Sequence, residues 1–269
     1  MKNNKKVLPS HPGRNVFAIC GKGGVGKTAF SAMLTKVLLE RGNAGKLLVI
    51  DADPALGLSN TLDIHIEKTM GQVRESIISS AKSEGDTDLV ETVGKIDYMV
   101  MEALVETDNF AVLAMGRTDS RGCFCSVNSL LRDAVKILSQ KFDTIIIDGE
   151  AGLEQINRQV MENLDCLIVL TDASARGVQV VEMLKDMVEN KNVIRCKKIG
   201  VIFNGVQGKE DFLTQSAEKI GIDVFGFVPH DSNVRDYDMM GKPLIALPEH
   251  SEALIAVRGI LQNLGYSDA

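Results

Sequence analysis

The sequence predicts an α/β fold, a single domain with a mostly parallel central sheet flanked by helices, and three observations predict it. Short, β-branched-rich apolar runs recur along the chain without polar alternation, as strands buried on both faces require. Patterns of helical period lie between them, so the chain reads strand, helix, strand, helix. A glycine-rich stretch, Gly21-Lys22-Gly23-Gly24-Val25-Gly26-Lys27-Thr28, joins the first strand to the first helix.

Taken in order, Val16–Cys20 is the first strand, and 28–41 the first helix, with Met33, Leu34, Val37 and Leu38 on one face. Leu47–Ile50 is the next strand, followed by a helix at 71–81 and a strand at Tyr98–Met101. A helix at 126–140 leads to the strand Thr144–Ile147, and a helix at 153–163 to Leu167–Leu170. Then come a helix at 175–190, the strand Ile199–Phe203, a helix at 209–220, the strand Val224–Val228 and a helix at 251–264. In such a sheet ligands sit beyond the carboxyl ends of the strands. Polar residues gather at those ends: Asp51 and Asp53, Asp148, Thr171 and Asp172, and Asn204.

A length of 269 residues suits one large α/β domain. The net charge of −6 argues against a nucleic-acid-binding body, where a basic face is expected. No run approaches the roughly 18 apolar residues of a membrane span. Residues 1–15 read as a polar tail carrying Lys2, Lys5, Lys6 and Arg14, without the apolar segment of a secretory signal, and 16–269 as the domain. Five cysteines without framework spacing point to a reducing cytoplasm.

The glycine stretch fits the phosphate-binding loop pattern G-x-x-x-x-G-K-[ST], in the strand–loop–helix context that the motif needs. Backbone N–H groups at a helix N-terminus point at an anion, and glycines let the chain approach it closely. Gly21, Lys22, Gly23, Gly24, Val25, Gly26, Lys27, Thr28 and Ala29 are therefore the expected nucleotide-binding run. Lys27 reaches the β- and γ-phosphates, and the Thr28 hydroxyl faces Mg²⁺. Asp148, ending an apolar strand, occupies the place of a Walker B carboxylate toward Mg²⁺, the bland alternative being a helix N-cap. Asp53-Pro54 is also a common turn opener.

A second pattern is Gly122-Cys123-Phe124-Cys125. In a loop both thiolates can converge on one ion, but structural zinc takes four ligands. Cys20, Cys166 and Cys196 stand alone in or beside apolar runs. A two-fold homodimer would complete a shared Cys₄ site, able to hold Zn²⁺, Ni²⁺ or an iron–sulfur cluster. Two buried or redox-active thiols are the alternative.

The loop, with Lys22 directly after its first glycine, resembles the signature of the MinD/ParA/nitrogenase iron-protein class of deviant Walker A ATPases. That resemblance implies that Lys22 crosses a dimer interface to the partner's nucleotide. It implies that Asp51 serves the Mg²⁺ and hydrolysis network, that Asp53 orients the attacking water, and that the Gly152 N–H senses the γ-phosphate. Asn204 matches the asparagine that bonds adenine, and Pro229, His230 and Asp231 the second wall of the base pocket. Gly205, Val206 and Gln207 follow Asn204, so the Asn-Lys-x-Asp of a guanine site is missing and ATP is favoured.

Three further stretches narrow the resemblance. They are Asp148-Gly149-Glu150-Ala151-Gly152-Leu153-Glu154, Gly122-Cys-x-Cys-x-x-Asn128-x-Leu130-Leu131-Arg132, and Thr171 to Gly177. Together they are similar to the CooC type of carbon monoxide dehydrogenase maturation ATPase. The resemblance implies a dimeric, Mg²⁺-dependent ATPase assisting nickel insertion into a client such as carbon monoxide dehydrogenase or acetyl-CoA synthase, with Cys123 and Cys125 as the metal pair. Gly149, Gln155 and the N-terminal tail depart from that family's pattern. An electron-transfer ATPase with a dimer-bridging iron–sulfur cluster ranks second, because that family takes its two cysteines from separate segments. A MinD- or ParA-like positioning ATPase is the third reading. The C-terminal segment Ile260–Ala269 lacks the basic amphipathic face that membrane binding needs.

Overall fold

Along the first strand, β1 (Asn15–Gly21), successive side chains enter opposite halves of the core. Val16, Ala18 and Cys20 pack in one half, Phe17 and Ile19 in the other. Both faces of β1 are covered, which is why its sequence shows no polar alternation. The same division holds in β2 (Leu47–Asp51), where Leu48 and Ile50 oppose Leu47 and Val49. The computed structural model describes residues 14–42, 44–83, 95–117, 125–149, 163–190 and 194–266.

The remaining strands are β3 (Leu104–Glu106), β4 (Ala111–Ala114), β5 (Thr144–Asp148), β6 (Asn163–Thr171), β7 (Arg195–Asn204) and β8 (Asp223–Val228). Among the described residues they form one eight-stranded sheet in the order β3-β4-β2-β5-β1-β6-β7-β8. Every neighbouring pair is parallel except β3 with β4, a hairpin closed around Thr107 and Phe110.

Between the strands run α1 (Lys27–Arg41), α2 (Gly57–Thr61), α3 (Met70–Ser83), α4 (Ile96–Glu102), α5 (Cys125–Ser139), α6 (Ala175–Glu189), α7 (Glu210–Ile220), α8 (Ser232–Met239) and α9 (Glu252–Asn263). On one face of the sheet α1 buries Phe30, Met33, Leu34 and Val37, and α9 adds Leu254, Val257 and Leu261. On the other, α3 buries Val73 and Ile77, α5 Leu131, Val135 and Leu138, and α6 Val181 and Leu184. Each such side chain contributes about 1.5–3 kcal/mol of burial. Arg258 of α9 locks onto Glu40 of α1 at 2.6 Å, tying the two helices of the first face together.

The expected helices at 28–41, 71–81, 126–140, 175–190, 209–220 and 251–264 are present within a residue or two of those bounds. The expected strand Tyr98–Met101 is instead part of α4. Ile96 and Val100, one turn apart, enter the core while Tyr98 and Met101 face solvent. A four-residue apolar run cannot by itself distinguish the two periods. The chain reaches the sheet only at Leu104, in the three-residue β3, with β4 beyond it. The helix expected at 153–163 lies outside the described residues, save for Asn163, which opens β6. Among the described residues no helix is long and apolar enough to cross a membrane.

Candidate functional site

The carboxyl ends of β1, β2, β5, β6 and β7 bring the expected polar residues to one edge. β1 is central there, with β5 and β2 on one side and β6 and β7 on the other. The glycine loop leaves β1 and enters α1 through Gly26, which has φ 86° at the N-cap position. A side chain at Gly26 would be strained by that backbone, and its Cβ would lie 2.6 Å from the Asn204 amide. The turn brings the first N–H groups of α1 to face the space above the sheet, an arrangement suited to phosphate.

Lys27 lies along this loop, its ammonium donating to the carbonyls of Lys22 at 3.1 Å and Gly21 at 3.3 Å. Lys22 points elsewhere. Its Nζ lies 2.8 Å from Asp172 Oδ2 and 3.4 Å from Ser174 Oγ, in the turn between β6 and α6. Burial works against the Asp172 carboxylate, but hydrogen bonds from Lys22 and Ser174 outweigh it and hold its pKa below the ordinary range.

Asp51 and Asp148 are register partners on the parallel strands β2 and β5, and both are buried. One oxygen of Asp51 accepts from the N–H and the hydroxyl of Ser59, each at 2.9 Å; the other accepts from the Asp53 N–H at 3.1 Å. Asp148 accepts from Ser31 Oγ at 2.9 Å and from the Thr28 hydroxyl. Burial raises the Asp148 pKa to about 7; the Ser31 and Thr28 bonds and Lys27 oppose it, and the charge of Asp51 adds to it. Burial also raises Asp51, against the two bonds from Ser59. Two buried carboxylates side by side favour a bound cation. The Thr28 hydroxyl and these carboxylates form a hard oxygen set that fits Mg²⁺.

Asp53 is half-buried and begins the turn into α2, its Oδ1 accepting from the Ala55 N–H at 2.8 Å. At the end of β7, Asn204 Nδ2 donates to the Val25 carbonyl at 2.7 Å, joining that strand to the phosphate loop. Pro229 and His230 follow β8, His230 exposed. Asp231 is buried and engaged within the protein: it caps α8 through the Asn233 N–H at 2.7 Å and accepts from Ser251 Oγ at 2.6 Å and the Ala253 N–H at 3.0 Å. Gly152 and Cys123 lie outside the described residues, and Cys125 opens α5. Among the described residues no group of three or more His, Cys, Asp or Glu side chains converges as a metal site.

Sequence reasoning missed Ser31, Ser59 and the part played by Asp172. Ser31 stands one helical turn beyond Thr28, a spacing that places both on one face. Ser59 reaches Asp51 only through a turn in which Leu56 takes a left-handed conformation, φ 57°, unusual for a leucine. Nothing in the sequence pairs Asp172 with a lysine 150 residues earlier.

Residues 16–244 match the family described as the CobQ/CobB/MinD/ParA nucleotide binding domain. An uncharacterized ATP-binding protein of Methanocaldococcus jannaschii is 36% identical over 253 residues, 93% of this chain and 98% of that protein. The carbon monoxide dehydrogenase accessory protein CooC of Rhodospirillum rubrum is 27% identical over 237 residues, 84% of this chain and 87% of that protein. Among solved structures, the MinD cell division protein of Aquifex aeolicus superposes with a TM-score of 0.68 at 19% identity, over 95% of this chain and 98% of that one. That last agreement is one of fold.

Proposed function

The chain belongs to the CobQ/CobB/MinD/ParA nucleotide-binding family and is an ATPase, and from that premise we propose a homodimeric, ATP-hydrolysing metallochaperone. Its client is a nickel- or metallocluster-containing enzyme of the carbon monoxide dehydrogenase or acetyl-CoA synthase kind. It works in the cytoplasm, on neither membrane nor nucleic acid. The observation that carries the reading is the sequence pair Cys123/Cys125 at the start of α5, in a chain whose described residues assemble a phosphate-binding edge. The similarity to CooC supports the choice of client.

In this reading the α1 N-terminus and Lys27 hold the β- and γ-phosphates of ATP. Thr28, Asp51 and Asp148 would hold Mg²⁺, which supplies charge neutralisation on the phosphate oxygens. Asp53, on the turn that follows β2, orients the attacking water. The Gly152 N–H senses the γ-phosphate from the stretch after β5. Asn204 Oδ1 accepts from the exocyclic amine of adenine, and Pro229 and His230 line the base, with Asp231 fixing their loop through its caps. Lys22 exchanges Asp172 for the nucleotide of the second subunit.

In the homodimer Cys123 and Cys125 of each subunit would together hold Zn²⁺ or Ni²⁺ through four thiolates. Metal content of anaerobically purified protein tests this, wild type beside Cys123→Ala/Cys125→Ala. One Zn²⁺ or Ni²⁺ per dimer, lost in the variant, supports the proposal. Four irons per dimer favour electron transfer, and no metal favours a positioning ATPase.

A further inference from the structure

Arg74 of α3 is an almost fully buried cation, its side chain 8% exposed, and nothing in ATP hydrolysis uses it. Its Nε donates to Asn128 Oδ1 at 2.8 Å, and its Nη1 to Glu75 Oε1 at 2.9 Å. Asn128 lies in the first turn of α5, three residues after Cys125, within the stretch that carries the cysteine pair. A buried guanidinium N–H left without its acceptor is unfavourable, so the Arg74 position constrains where that turn of α5 can go.

The first turn of α3, just ahead of Arg74, is fixed to the nucleotide edge. The Gly71 N–H donates to the Met115 carbonyl at 2.8 Å, and the Met115 N–H donates to the Asp51 carbonyl at 2.8 Å. The approach is so close that a Cβ on Gly71 would lie 1.9 Å from the Arg117 carbonyl oxygen, so only glycine lets α3 pack this tightly on the segment. Thr69 and Gln72 close the start of the helix with reciprocal bonds of 2.8 and 3.2 Å. Gly71 and Arg74 are one turn apart, about 4.5 Å along a rigid helix. Two backbone bonds, one helical turn and one buried side chain thereby connect Asp51 to Asn128.

We propose that Arg74 is a positioning residue that seats the cysteine-bearing turn of α5 through Asn128 and conveys to it the nucleotide state sensed at Asp51. This rests on the metallochaperone reading only for its purpose; the bridge itself is independent of metal. Asn128 is exposed, so Asn128→Ala removes the acceptor without opening the core, and Asn128→Asp keeps an acceptor oxygen.

The test is the rate of iodoacetamide alkylation at Cys125, resolved by mass spectrometry on metal-free protein with and without Mg–AMPPNP. The wild type responds to nucleotide by about fivefold or more, the size of an ordinary coupling energy. Asn128→Ala abolishes the response with the KM for ATP unchanged, and Asn128→Asp restores it. A purely structural loosening of α5 would instead speed alkylation equally with and without nucleotide, which overturns the proposal. So does a wild-type response that survives in Asn128→Ala, or no wild-type response at all. Zinc titration of the same wild-type protein separates the two ideas. Zinc bound by the cysteine pair without any alkylation response overturns the bridge alone. A response that depends on Asn128 without zinc binding supports the bridge and overturns the metal site.

Discussion

Asp51 and Asp148 stand directly across from one another at the carboxyl ends of neighbouring parallel strands, both buried. Their repulsion and desolvation oppose folding until a cation joins them. Asp148→Asn should therefore stabilise the nucleotide-free protein by on the order of 1–3 kcal/mol at pH 7. Thermal melts with and without Mg²⁺ check this: the wild type gains from the ion and the variant does not. Hydrolysis should fall by about 100-fold or more, since a metal pole is worth several kcal/mol in the transition state.

The Lys22–Asp172 pair is 32% and 39% exposed, and surface pairs of this kind contribute about 0–1 kcal/mol. Asp172→Ala should leave the melting temperature almost unchanged. On the proposed role of Lys22 at the partner's nucleotide, it should also lower the ATP concentration for half-maximal hydrolysis, the lysine being released from Asp172. Lys22→Ala should bind ATP yet fail to dimerise on it, as light scattering with AMPPNP would report.

Ser59 gives both its N–H and its hydroxyl to one oxygen of Asp51. Groups that orient a metal-side carboxylate are typically worth about 10–100-fold in metal affinity. Ser59→Ala should raise the Mg²⁺ requirement of hydrolysis within that range while Ser59→Thr restores it. A Mg²⁺ titration of the steady-state rate decides.

Asp231 is opposed by burial, but bonds from Ser251, Ala253 and Asn233 outweigh it and depress its pKa. A depressed carboxylate binds fewer protons folded than unfolded, so its contribution is complete above the unfolded value of about 3.9 and is lost as pH falls through the lower folded value. Asp231→Ala should cost about 1–2 kcal/mol at pH 7, the worth of a helix cap, and lose that difference at an acid pH below the depressed folded value. Urea denaturation at the two pH values measures it.

The phosphate loop and the strand-ending Asp51, Asp148 and Asn204 were legible because they follow local patterns: a fixed glycine spacing, and polar residues ending apolar runs. Lys22 was legible as a signature but its present partner was not, since Asp172 meets it only through the β1–β6 pairing. Arg74 was invisible for the same reason, being an ordinary helix cation until α3 and α5 pack. Tyr98–Met101 was misread because four apolar residues fit either period, and packing of Ile96 and Val100 decided for helix.

The proposed coupling of nucleotide and metal is tested most directly by calorimetry on Asp53→Ala, which on the proposed role of Asp53 should hold ATP without turnover. Zn²⁺ affinity is measured with and without Mg–ATP, and ATP affinity with and without Zn²⁺. Linkage requires both affinities to change by one and the same factor. A shared factor of about fivefold or more, absent in Cys123→Ala/Cys125→Ala, is the predicted result. Zn²⁺ binding that is indifferent to ATP would contradict the account.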